Sequence, residues 1–229
     1  MEYKVIGQTV PVVELKLRQG EKIFTQSGGM AYQTEGIDMS TNARGGLMQS
    51  LGRMFTGESL FMANYTATRD DALVAFASTV PGSVMPIDLD TLGGGSIMIQ
   101  KGAFLCAEDS VKLEIALNKK FSAGFFGGEG FILQRAQGNG KIFLEVDGDP
   151  IEKDLAPGEV LKVSTGNVVA FSDTVKYEVE MVKGLGNILL GGEGLFLTKL
   201  VGPGKVILQS QNFADFAQKV IPFIPKQSN

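Results

Sequence analysis

Three glutamates have the most regular spacing of any groups in the chain able to do chemistry. Glu58 stands in Gly57-Glu58-Ser59-Leu60-Phe61, Glu129 in Gly128-Glu129-Gly130-Phe131-Ile132, and Glu193 in Gly192-Glu193-Gly194-Leu195-Phe196, spaced by 71 and then 64 residues. If a threefold relation gathers them, a ring of carboxylates offers oxygen ligands to a hard divalent cation. The simpler reading, which we favour, is that each carboxylate accepts backbone N–H bonds in its own glycine-rich turn or pairs with a neighbouring cation. Arg135 and Lys199 occupy matching positions after two of the motifs, but Asn64 holds the third. A cationic ring for an anionic ligand is therefore incomplete. These five residues, Glu58, Glu129, Glu193, Arg135 and Lys199, are the candidate ligand-binding set. No residue is assigned to catalysis, and no metal or cofactor is expected.

The missing residue types narrow the chemistry further. The chain has no histidine and no tryptophan, and its one cysteine is Cys106. Without histidine the Ser-His, Cys-His and His-metal constellations are excluded, along with the side chain that titrates near neutrality. One cysteine permits no intrachain disulfide and no CxxC pair, which suits a reducing, cytoplasmic compartment. Cys106 follows Phe104-Leu105 and reads as a small core residue rather than a nucleophile. The Gly127-Gly128-Glu129-Gly130 and Gly191-Gly192-Glu193-Gly194 runs look superficially like phosphate loops. Both lead into apolar strand sequence, and neither is followed by Lys-Ser/Thr or a helix start. Carboxylate pairs, Asp70 with Asp71 and Asp147 with Asp149, are the remaining stock for acid-base work, although neighbours on a turn are usually just solvated.

Charge and hydropathy exclude other classes. The net charge is −4 and the sequence pI about 5.0, the wrong sign for a nucleic-acid footprint. No apolar run approaches the roughly 18 residues of a membrane-spanning helix. The segment from Met1 to Leu17 alternates apolar and polar residues and carries Glu2 and Lys4, so it reads as strand rather than as a signal or transit peptide. With 44% hydrophobic residues there is ample material for a core.

The elements that must position the candidate residues are strands. Glycine accounts for 30 of the 229 residues, nearly double the usual roughly 7%. Between the glycines lie short β-branched and aromatic runs such as Val12 to Leu17, Val111 to Ala116, Lys141 to Val146, Val160 to Val163 and Val168 to Phe171. Gly138-Asn139-Gly140-Lys141-Ile142-Phe143-Leu144 matches Gly202-Pro203-Gly204-Lys205-Val206-Ile207-Leu208 at the same spacing of 64 that relates Glu129 to Glu193. The chain thus reads as all-β, with three repeats over about 1–78, 79–148 and 149–211. Each repeat is too small for a comfortable core, so the expectation is one body, 1–211, with the repeats about a pseudo-threefold axis.

Two segments break the pattern. Leu47, Leu51, Met54 and Phe55 recur at helical spacing and predict a short amphipathic helix near 45–55. At the end, Asn212 predicts an N-cap for a helix near 212–221 with a Phe213, Phe216 and Val220 stripe, followed by an apolar Phe223-Ile224 tip in a 212–229 tail. Phe213, Phe216, Val220, Phe223 and Ile224 are the candidate interface residues.

The ordered set Arg44-Gly45-Gly46-Leu47, Gly57-Glu58-Ser59-Leu60-Phe61, Phe126-Gly127-Gly128-Glu129-Gly130, Gly191-Gly192-Glu193-Gly194-Leu195 and Ile221-Pro222-Phe223-Ile224-Pro225 resembles the family named for the protein altered inheritance of mitochondria 24. The resemblance covers nearly the whole chain. It implies a TRAP-like fold, with β units similar to the tryptophan-operon RNA-binding attenuation protein present three times. It also implies a link to membrane organisation, and it brings no catalytic residues. RNA binding does not follow, because the charge is wrong and aromatic stacking residues are few. The expected function is a non-catalytic scaffold or interaction protein that forms homo-oligomers, with a protein partner and peripheral membrane association left open. The alternatives are a small-ligand or metal-binding module at the pseudo-threefold axis and a carboxylate-based hydrolase.

Overall fold

Val12 to Leu17 show why the chain forms strands. Val13, Leu15 and Leu17 are buried while Lys16 points outward, the two-residue period of a strand covered on one face. The computed structural model describes residues 1–26, 29–43, 61–119, 131–181 and 196–224. The expected helix near 45–55 and the three glutamates Glu58, Glu129 and Glu193 lie outside the described residues.

The first part of the chain forms β1 (Glu2–Ile6), β2 (Val12–Leu17), β3 (Lys22–Gln26), β4 (Met30–Gln33), β5 (Ile37–Ala43), β6 (Phe61–Ala67) and β7 (Ala72–Ala77). The middle part forms β8 (Gly82–Asp88), β9 (Ser96–Gln100), β10 (Phe104–Glu108), β11 (Lys112–Lys119), β12 (Phe131–Gln137) and β13 (Lys141–Asp147). Then come β14 (Pro150–Leu155), β15 (Val160–Ser164), β16 (Val168–Ser172), β17 (Lys176–Met181), β18 (Phe196–Val201) and β19 (Gly204–Gln209). One α-helix, α1 (Phe213–Val220), ends the order and runs into a short 3-10 turn at Ile221–Phe223. The protein is mostly β, as the spacing of apolar runs and glycines predicts.

The strands group into two compact units whose limits cross the expected repeat boundaries. The first comprises residues 1–95, 104–112 and 137–145, and the second 96–103, 113–136 and 146–229. Unit 1 holds a sheet in the order β1-β2-β7-β4 and a sheet in the order β5-β6-β3-β10-β13-β8. Its core sets Val13, Leu15, Val74 and Phe76 together with Ile23, Ala63, Tyr65 and Phe143. The Tyr65 and Phe76 rings meet edge to face with centroids 5.3 Å apart. Cys106 is wholly buried in this core, and burial pushes its thiol well above the usual range, which leaves little thiolate for reaction.

Unit 2 holds a sheet in the order β11-β12-β9-β16-β19-β14 and a sheet in the order β15-β18-β17. Its core gathers Met98, Phe131, Leu133, Val168, Phe171 and Val206 with Val163 and Leu200. In β12 four consecutive residues, Phe131 to Gln134, are buried. A strand apolar on both alternating sets is covered on both faces, as its sequence implies.

One pairing order recurs. β7, β13 and β19 are each the middle strand between β2 and β4, β8 and β10, and β14 and β16. β6, β12 and β18 likewise stand between β3 and β5, β9 and β11, and β15 and β17. A bulge falls at the matching place in three pairs: between Met30 and Tyr32 against β7, between Phe104 and Cys106 against β13, and between Val168 and Ala170 against β19.

Candidate interaction surface

The described site candidates part company. Arg135 is exposed on β12 and pairs with Asp173, its Nε 3.3 Å from the carboxylate, an exposed ion pair of the kind that contributes little. Lys199 lies on β18, opposite Lys162 and Glu178. The two cations belong to different sheets of unit 2, and no described contact gathers them around a ligand. Among the described residues no cluster of three or more acidic or thiol side chains is placed to hold a metal ion. The carboxylate pairs serve the backbone and neighbouring lysines. Asp70 accepts from the Gln19 amide at 2.9 Å, and Asp71 pairs with Lys16 at 2.7 Å. A shallow cleft of about 450 Å³ in unit 1, lined by Gly94, Gly95, Ser110, Lys112, Gln137, Gly138 and Asn139, contains none of the predicted site residues.

The C-terminal candidates, in contrast, lie together in one exposed segment. Asn212 adopts extended backbone, and its Oδ1 accepts from the Ala214 amide at 3.0 Å, the N-cap its position predicts. The Phe213 amide donates to Asp147 Oδ2 at 2.9 Å, so a carboxylate from the end of β13 also holds the helix start. Burial raises Asp147 above the usual aspartate range, and the Phe213 bond works against that rise. Around this root Gln209 Oε1 accepts from the Asp147 amide and Gln209 Nε2 donates to the Gly166 carbonyl, at 3.0 and 2.8 Å.

Glycine is required at two positions here. Gly148 has φ +72, and a Cβ there would come 2.5 Å from Ser210 Oγ. At Gly166 a Cβ would collide with the side-chain Nδ2 of Asn212, the capping residue. Apart from the Asn212 cap, these root contacts could not be read from the sequence, because Asp147 and Gln209 come together only through strand pairing.

From that root the helix presents its apolar stripe outward. None of its residues is buried, and Phe213, Phe216 and Val220 are 46%, 50% and 42% exposed. Ile221, Phe223 and Ile224 prolong the stripe, Phe223 at 86% exposure. The Phe213 and Phe216 rings lie 6.4 Å apart between centroids. Asp215 sits on the more sheltered side, where burial raises its pKa and Lys219 opposes the rise. All five predicted interface residues are therefore exposed. Sequence reasoning missed the buried Gln134 of β12, whose Oε1 and Nε2 meet no hydrogen-bond partner among the described residues.

Among the described residues no helix is long and apolar enough to cross a membrane. The chain is 29% identical over 226 residues to an uncharacterized protein of Streptococcus pyogenes serotype M6, covering 96% of this chain and 89% of that protein. It also resembles a crystal structure of a Streptococcus pyogenes protein solved as a structural-genomics target. That likeness has a TM-score of 0.79 at 25% identity and covers 97% of this chain and 99% of the other. The model of the family described as Mitochondrial biogenesis AIM24 matches residues 3–211. With nearly the whole strand region inside that match, the chain belongs to the Mitochondrial biogenesis AIM24 family.

Proposed function

We propose that this protein is a non-catalytic scaffold that self-associates and binds a protein partner through α1 and the tip that follows it. The observation that carries the reading is the outward apolar stripe: a helix that buries none of its residues while exposing Phe213, Phe216 and Phe223. Contiguous exposed apolar surface on a folded chain marks a contact. The root of the helix is pinned by Asp147 and Asn212, so the stripe is held ready rather than ordered at the moment of binding, which lowers the cost of association.

Deleting residues 213–229 tests this. The oligomeric mass in light scattering falls while the β circular dichroism stays, and a truncated protein that unfolds, or assembles unchanged, refutes it. Phe216→Asp in the full chain gives the same loss of mass without shortening the protein. A cytoplasmic location is part of the proposal, supported by the buried thiol of Cys106. The link to membrane organisation rests on family resemblance alone. The ligand-binding alternative, built on Glu58, Glu129 and Glu193, depends on residues outside those described.

A further inference from the structure

We propose that β4 of one copy of this chain pairs antiparallel with β15 of a second copy, in a register that places Tyr32 opposite Val163 and Gln33 opposite Lys162. This goes beyond the helix surface: it assigns a second contact, made of backbone, and names its occupant.

The argument starts from two joins already made within the chain. β3 pairs with β10, with Thr25 opposite Cys106, Phe24 opposite Ala107 and Ile23 opposite Glu108. β9 pairs with β16, with Ile99 opposite Ala170, Met98 opposite Phe171 and Ile97 opposite Ser172. Both joins are antiparallel and run over three residues. Each unites a three-stranded group built on β6 or β12 with a group built on β13 or β19. The recurring order has a third member of each kind. β15 stands beside β18 as β3 stands beside β6, and β4 stands beside β7 as β10 stands beside β13. Both β4 and β15 end their sheets, and among the described residues neither has a strand on its far edge.

Two matches fix the register. The bulge makes Tyr32 the counterpart of Cys106 and Ala170, since each is the first paired residue after the shift. The spacing from Glu58 to Glu193 also relates Ala63 to Thr198. Their cross-strand partners are Thr25 and Val163, so those two are counterparts as well. Because Thr25 faces Cys106, Val163 faces Tyr32, and the antiparallel run sets Gln33 against Lys162.

Exposure sets β4 apart from its counterparts. β10 and β16 are buried in four of five residues, whereas all four residues of β4 are exposed. β4 reads Met-Ala-Tyr-Gln, with no charge and no proline. Proteins normally protect an open edge with lysine, proline or a cover; β4 carries no lysine or proline, and among the described residues no strand lies on its far edge. Of the strands that end a sheet, β15 is the one that stands beside its neighbour as β3 and β9 stand beside theirs in the two joins. A second copy supplies it, since every copy carries both a β4 and a β15 edge.

The test mixes two full-length single variants, Gln33→Cys and Lys162→Cys, both at exposed positions, under mild oxidation. A disulfide-linked dimer on a non-reducing denaturing gel is expected to form about tenfold faster than from Gln33→Cys mixed with Val160→Cys, which lies two residues off register. Equal rates for the two mixtures overturn the proposal. So does a disulfide that forms only inside one chain carrying both Gln33→Cys and Lys162→Cys, since the edges then close on each other. Wild-type light scattering separates this proposal from the helix reading. A monomer defeats both, whereas an oligomer that gives no register-specific dimer defeats this one alone.

Discussion

β12 and α1 are both rich in apolar side chains, yet they have opposite fates. In β12, Phe131 and Leu133 are wholly buried between covered faces. In α1, Phe213 and Phe216 remain about half exposed although the helix start is fastened by two polar side chains. The difference teaches that burial here follows sheet membership. A strand hydrogen-bonded on both edges cannot move away from the layer above it. A helix tethered at one end by Asp147 and Asn212 takes the orientation its root allows, and that orientation turns the phenylalanines outward.

The largest expected effect breaks the comparison at its buried side. Phe131→Ala costs about 4 kcal/mol, from lost transfer energy and the cavity left behind. Phe216→Ala changes monomer stability by less than about 0.5 kcal/mol. Denaturant midpoints measured below the association concentration check the contrast, and equal losses would place α1 in the core.

Gln134 sharpens the same point, because it is a polar residue in the most buried stretch of the protein. With both amide atoms unpartnered among the described residues, Gln134→Leu stabilises by about 1 kcal/mol, since the amide's desolvation penalty disappears while the volume is nearly kept. A lower denaturant midpoint in the variant would mean that the amide has a partner worth keeping.

At the root of the helix, Asn212→Ala removes the cap and costs about 1 kcal/mol of local stability. The expected reading is faster amide exchange in residues 213–220 with the strand amides unchanged. Exchange that accelerates in β19 as well would show that the root also supports the sheet.

The smallest effect is the pH dependence contributed by Asp147. Burial raises its pKa in the folded state, so the folded protein binds this proton more tightly than the unfolded one. Stability is then lost as pH rises from the ordinary aspartate range through the raised value. Glu14, Glu21, Asp88 and Glu180 are lowered by their partners and act in the opposite direction, so the contribution is isolated by difference. Thermal midpoints of wild type and Asp147→Asn should converge toward low pH and separate as pH rises, with the variant the more stable. A gap that does not change with pH would assign the effect to the Phe213 hydrogen bond instead.

The sequence by itself determined the strand content, the helix at 213–220 and its cap, because each depends on local spacing: the two-residue period of Val13, Leu15 and Leu17, the run of Phe131 to Leu133, and Asn212 ahead of a helical stripe. It also picked out Phe213, Phe216 and Val220 as one helix stripe, since residues three and four apart on a helix share a face, with the Phe223-Ile224 tip beyond it. Tertiary structure alone decided that Asp147, 66 residues from Phe213 in sequence, holds the helix start by a hydrogen bond, and that the helix stripe stays exposed. It likewise decided that Arg135 and Lys199, matched in sequence, fall in separate sheets, and that β4 ends its sheet while its counterparts β10 and β16 lie inside theirs. Local sequence sets the period of an element, but which edge finds a partner depends on where distant strands arrive.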